Sequence, residues 1–119
     1  MEKKKILLVG NFDDREAITY LAFNSRSFEF EHFENENTLY SSYLAGLADY
    51  LKTNGKRFNA VAIFNAPQYN QEREIIEKNY EGKTILLCNP PDDKLNPGFI
   101  RVQMPILQPE FDEFVEKEI

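Results

Sequence analysis

The sequence predicts an α/β fold in which a parallel sheet is covered by helices on both faces. Three observations carry that expectation. The runs "KILLV" (Lys5 to Val9), "AVAIF" (Ala60 to Phe64) and "TILLC" (Thr84 to Cys88) are continuously apolar, which suits strands buried on both sides. Between them lie segments whose apolar residues recur at helical spacing. The 119 residues are 42% hydrophobic and 29% charged, enough for one hydrophobic core, and no repeat, low-complexity tract or linker divides them. One domain over 1–119 is therefore expected.

Each element can be justified in order. Gly10 ends the first strand. From Asp14 to about Ser25 the residues Ala17, Ile18, Leu21 and Ala22 repeat at helical spacing, and Asp13 stands three residues before Glu16 as in a capping box. "FEFEHF" (Phe28 to Phe33) alternates apolar with charged or polar residues, the pattern of a strand at a sheet edge. Asn37 is placed to cap a longer helix with the stripe Tyr40, Tyr43, Leu44, Leu47 and Leu51, and Asn54-Gly55 reads as a left-handed stop. After the strand "AVAIF", a helix from about Gln71 to Tyr80 turns Ile75 and Ile76 inward. "TILLC" is the fourth strand and "FIRVQ" (Phe99 to Gln103) the fifth. Pro109, in a first helical turn, opens a last helix with Phe111, Phe114, Val115 and Ile119 on one side and five carboxylates plus Lys117 on the other.

Charge and composition exclude several function classes. A net charge of −6 and a pI near 4.8 oppose broad attraction to nucleic acid or anionic membranes, and the Lys3 to Lys5 run is too short to reverse that. No stretch approaches the roughly 18 apolar residues of a membrane span. The single cysteine, Cys88, precludes an internal disulfide and a multi-cysteine zinc site, so a reducing, cytoplasmic setting is expected.

Strands alternating with helices point to a flavodoxin-like three-layer sandwich with strand order 2-1-3-4-5, which puts "FEFEHF" at one edge. In such sheets the functional crevice lies beyond the carboxyl ends of strands one, three and four. Here those ends are "GNFDD", "NAPQ" and "CNPP".

With "ILLVGN", "VAIFNAP", "ILLCN" and "VQMP" at successive strand ends, the chain resembles the response-regulator receiver domain (CheY-like) over nearly its whole length. The resemblance implies an acidic pair after strand one, a phospho-accepting aspartate ending strand three, a hydroxyl residue ending strand four and a Lys-Pro pair ending strand five. The frame matches, but the chemistry departs from it. Gly10 and Asn11 stand at the acid pair, Phe64 and Asn65 at the acceptor, and an amide is no carboxylate nucleophile. Pro67 follows sooner than in the family. Asn89, or Cys88 with a one-residue slip, replaces the hydroxyl residue, Met104 replaces the lysine before Pro105, and Arg101 takes the place of the switching aromatic. Between Asn89 and Met104, "PPDDKLNPG" holds three prolines and a glycine, so the family's fourth helix should be short or missing. The expected phosphorylation site is thus degenerate.

The acidic pair Asp13 and Asp14 comes late for a metal site, since magnesium needs oxygens converging from more than one strand end. Their position favours a cap that complements the helix dipole, with a displaced acidic site as the competing reading. His32, alone in an edge strand, reads as structural, and Cys88 as a buried apolar residue without a basic partner. Small sugar-phosphotransferase carrier subunits share the opening pattern, but they need a cysteine after strand one, and "GNFDDREA" has none. Only Gly10 is present where a phosphate-cradling loop would need several glycines. The ten Phe and six Tyr fall at core spacings without interleaved basic residues, so they read as packing and not as a nucleic-acid platform. Tyr40, Tyr43 and Tyr50 are the rings best suited to a half-wet contact with a partner.

These readings add up to a non-enzymatic receiver-like domain with no catalytic residue, metal or cofactor. It would act in signal transduction by binding another protein or a second copy of itself. The alternative is a small flavodoxin-like ligand-binding or enzymatic domain using the loops after strands one, three and four.

Overall fold

The computed structural model describes residues 3–33, 39–88 and 99–119. Five parallel strands, β1 (Lys4–Val9), β2 (Phe28–His32), β3 (Ala60–Phe64), β4 (Lys83–Cys88) and β5 (Phe99–Gln103), form one sheet in the order β2-β1-β3-β4-β5. Helices α1 (Phe12–Thr19), α2 (Tyr40–Asn54), α3 (Asn70–Asn79) and α4 (Gln108–Glu118) cover it, giving the flavodoxin-like sandwich.

The continuous apolar runs are explained by alternation between two cores. Ile6, Leu8, Ala60, Ala62, Ile85 and Leu87 face one layer, where they meet Ile18, Leu21, Phe111 and Val115 of the α1 and α4 side. Leu7, Val9, Val61, Ile63 and Leu86 face the other, against Leu47 and Leu51 of α2 and Ile76 and Tyr80 of the α3 side. Successive strand residues point to opposite faces, so a strand covered twice needs an apolar residue at every position. At the edge, β2 needs fewer: Phe28 is fully buried and Phe30 packs on the same core, while Glu29 is exposed.

Three local expectations are corrected. The helix after β1 is capped by Asn11, not Asp13: the Asn11 Oδ1 accepts the Asp14 N–H at 2.7 Å, leaving Asp13 and Asp14 in the first turn. That helix stops at Thr19 and tightens into a 3-10 turn, Tyr20–Ala22, instead of running to Ser25. Phe23 is extended, Asn24 is left-handed at φ 61°, and the Ser25 hydroxyl accepts the N–H groups of Ser27 and Phe28, which offers the backbone bonds that compete with a helix.

The third correction concerns Gly55. It is not a left-handed stop; its φ and ψ of −57° and −34° are helical, and the chain continues into a 3-10 turn, Gly55–Arg57. Space decides that position, because a Cβ there would lie 3.3 Å from Cδ1 of the Tyr80 ring. Asn37 and the "PPDDKLNPG" segment lie outside the described residues, so the expectations of a cap at Asn37 and of a short or missing fourth helix fall there too; α2 starts at Tyr40 after Leu39, which makes no side-chain cap bond.

Candidate functional site

The carboxyl ends of β1 and β3 meet beneath the entry to α3. β1 leaves the sheet through Gly10, whose φ of 152° lies where side-chain-bearing residues are strained. That turn aims Asn11 at the start of α1. Across from it, β3 passes through Phe64 and Asn65 into a 3-10 turn, Pro67–Tyr69, which swings Tyr69 back over Gly10. Tyr69 is 4% exposed, and its hydroxyl stands 3.4 Å from where a Gly10 Cβ would be.

The Tyr69 hydroxyl joins both strand ends. It accepts the Asn11 N–H at 3.1 Å and donates to Asp14 Oδ2 in a short hydrogen bond. Gln68 adds a longer bond to the same carboxylate oxygen at 3.4 Å. Burial, with Asp14 adding to it, raises the Tyr69 pKa above the ordinary phenol value, so the hydroxyl remains a donor at neutral pH. Asp13, by contrast, is exposed on the first turn of α1.

Asn65 is held by two elements. Its N–H donates to the Leu87 carbonyl at 2.9 Å, and its Oδ1 accepts from Arg73 Nη1 of α3. Arg73 also donates through Nη2 to Asn70 Oδ1, while its buried Nε makes no hydrogen bond among the described residues. On the other side, Arg15 is nearly buried; its Nη1 donates to the Phe33 carbonyl at 3.1 Å and its Nε to the Asn11 carbonyl at 3.4 Å. α1 is thereby tied to both β1 and the end of β2.

The remaining expected positions separate from this cluster. Met104 is 8% exposed, its N–H bonds to the Cys88 carbonyl at 2.8 Å, and its side chain belongs to the α1/α4 core. Phe64 is half-buried against both cores. Cys88 is buried, its thiol 3.6 Å from the Leu86 carbonyl. His32 is half-buried on the edge strand, Arg101 is exposed on β5, and Asn89 lies outside the described residues. Tyr43 and Tyr50 pack on Phe33 with centroids 5.6 and 5.3 Å away, so both rings are committed in part to the α2 core.

Among the described residues no three His, Cys, Asp or Glu side chains gather as a metal ligand set. What the strand ends do form is a cleft of about 410 Å³ lined by Gly10, Asn11, Tyr43, Gln68, Tyr69 and Glu72, with Glu72 only 3% exposed. Sequence reasoning missed Tyr69, Arg73, Arg15 and Glu72, which shape this end of the molecule. Pro67, two residues before Tyr69 and at the start of its 3-10 turn, was the one available signal.

No family model matches the chain, and no curated protein matches it. Among solved structures it is similar to the crystal structure of a pilus assembly-related protein from Burkholderia pseudomallei, with a TM-score of 0.66 and 12% identity over 96% of this chain and 87% of that one. The likeness is one of fold. It matches the five-stranded parallel α/β architecture and carries no residue roles.

Proposed function

We propose that the chain is a receiver-like domain without phosphorylation chemistry, which takes part in signal transduction by binding another protein. The observation that carries this reading is the engagement of the polar groups after β1 by Tyr69. In a receiver, the end of β1 supplies carboxylates and the end of β3 an acceptor facing open solvent. Here a tyrosine hydroxyl engages Asn11 and Asp14, and an arginine engages the amide of Asn65. Met104, at the position of the family's lysine, is packed into the core and brings no charge to a phosphoryl group. These features favour a non-enzymatic domain whose cytoplasmic partner is another protein or a second copy.

Amide NMR with magnesium, followed by beryllofluoride or acetyl phosphate, tests the reading. No saturable shift is expected at Asn11, Asp13, Asp14 or Asn65, and no phosphoprotein by mass spectrometry. A saturating response to beryllofluoride at those residues would overturn it.

The 410 Å³ cleft supports a second reading, a small ligand-binding or enzymatic domain using the loops after β1 and β3. Saturable binding of a flavin or nucleotide with shifts at Gly10, Tyr69 and Glu72 would favour that reading over the first.

A further inference from the structure

At the other end of the sheet, where β3 and β4 begin, a larger cleft of about 650 Å³ opens between the C-terminal ends of α2 and α3. Lys52, Lys56 and Lys78 stand around it, above a floor that includes Leu51, Phe58 and Tyr80. Among the described residues none of these three ammonium groups makes a hydrogen bond or ion pair. Lysines near helix ends often serve as caps. Here the terminal carbonyls already have other donors: Gly55 N–H bonds to Leu51 O, Tyr80 N–H to Ile76 O at 2.9 Å, and Asn79 Nδ2 to Ile75 O at 2.8 Å. The three cations are thus left over from the helices' own needs, in a chain whose net charge is −6.

We propose that this cleft binds a small molecule bearing a diphosphate or longer phosphate chain. Its volume lies within the range of small-molecule sites. Lysine grips phosphate as a point charge, whereas planar carboxylates are matched best by arginine forks. The arginine beside the cleft, Arg57, is already engaged, with Nη2 3.1 Å from both carboxylate oxygens of Glu31. Glu81 is the one carboxylate in the lining, so the three lysines leave an excess of positive charge to be met by an anion of more than one charge. The apolar floor and the lysine methylenes give an organic group somewhere to rest. This site lies away from the β1 and β3 strand ends and does not depend on the protein-binding reading.

Titrating the full chain with inorganic pyrophosphate, and separately with ADP, tests the proposal by amide NMR. Saturable shifts are expected at Lys52, Gly55, Lys56, Lys78 and Gly82, with affinity falling about tenfold in Lys56→Gln and in Lys78→Gln. Lys117→Gln, which alters an exposed lysine paired with Glu113 on α4, should bind as the unmodified chain does. Because all four lysines are exposed, circular dichroism should find each variant folded as before. Tighter binding of ADP than of pyrophosphate would assign the organic body to the apolar floor, and equal binding would assign recognition to the phosphates alone. Shifts that do not saturate, that spread to Lys3, Lys4 and Lys83, or that weaken equally in Lys117→Gln would overturn the proposal.

Discussion

Tyr69 places one hydroxyl between two groups that would otherwise need separate partners, the Asn11 N–H and the Asp14 carboxylate. Tyr69→Phe should therefore cost about 1–2 kcal/mol in urea unfolding, because it leaves a part-buried N–H without its acceptor while the ring still fills its place. Tyr80 makes a different case. Burial pushes its pKa up from 10.0 to about 12, and its hydroxyl donates to the Phe58 carbonyl at 3.2 Å. The folded state holds this proton more tightly than the unfolded chain, so the associated stability is complete below pH 10 and is lost as pH rises toward 12. Tyr80→Phe should cost about 1 kcal/mol at neutral pH and flatten the fall in stability above pH 10. Tyr50 and Tyr69, raised mainly by burial, would keep some of that slope. Unfolding midpoints measured from pH 7 to 12 check both points.

At the scale of elements, the ends of α2 and α3 are fitted to one another through Tyr80. A Cβ on Gly82 would lie 2.6 Å from Cζ of Tyr80 and 2.9 Å from Cε2, whereas one on Gly55 would meet Cδ1 at 3.3 Å. The Tyr80 ring is 9% exposed and its hydroxyl is bonded, so it has little room to yield. Gly82→Ala should destabilise by about 1–3 kcal/mol through overpacking. Gly55→Ala should cost less, about 0–1 kcal/mol, since its 3.3 Å contact is milder and the helical φ and ψ there suit alanine. Thermal unfolding of the pair separates crowding from backbone propensity. On the opposite face Ser25 joins the turn before β2 to α4: its hydroxyl donates to Asp112 Oδ1 at 2.6 Å and accepts from Ser27 and Phe28. Ser25 is 2% exposed, so Ser25→Ala should cost about 1–3 kcal/mol by leaving those N–H groups unmet.

At the scale of the molecule, the sheet separates two cores, and each depends on one outer layer. Phe111 of α4 is fully buried, with Phe28 5.2 Å and Phe114 5.7 Å away by ring centroids. Phe111→Ala should cost about 3–5 kcal/mol, a large share of the 5–15 kcal/mol typical of a folded domain. Loss of cooperative unfolding in that variant would be read by denaturation followed with both circular dichroism and fluorescence. The two clefts also lie at opposite ends of the strands, and each is built from its own side chains. Pyrophosphate bound near Lys56 should accordingly leave the Asn65 and Tyr69 amides unshifted.

The sequence by itself determined the element order, the edge position of β2 and the flavodoxin-like topology. Those features follow from local periodicity: runs such as "AVAIF" demand cover on both faces, and "FEFEHF" demands it on one. It also placed Gly10, Asn11, Asn65 and Met104 at the strand ends, because strand limits carry position as well as type. Only the tertiary structure decided what those residues meet. Tyr69 lies 58 positions from Asn11, and Tyr80 lies 22 from Phe58, separations that no local pattern records. Gly55 was misread for the same reason: an Asn-Gly pair resembles a backbone signal, but the constraint comes from a ring brought in by another helix. Asn11 displaced Asp13 as the cap because the turn at Gly10 starts α1 earlier than its apolar spacing suggests. The lysine-lined cleft stayed hidden because Lys52, Lys56 and Lys78 each look like an ordinary solvated charge until the packing of α2 against α3 gathers them around one opening.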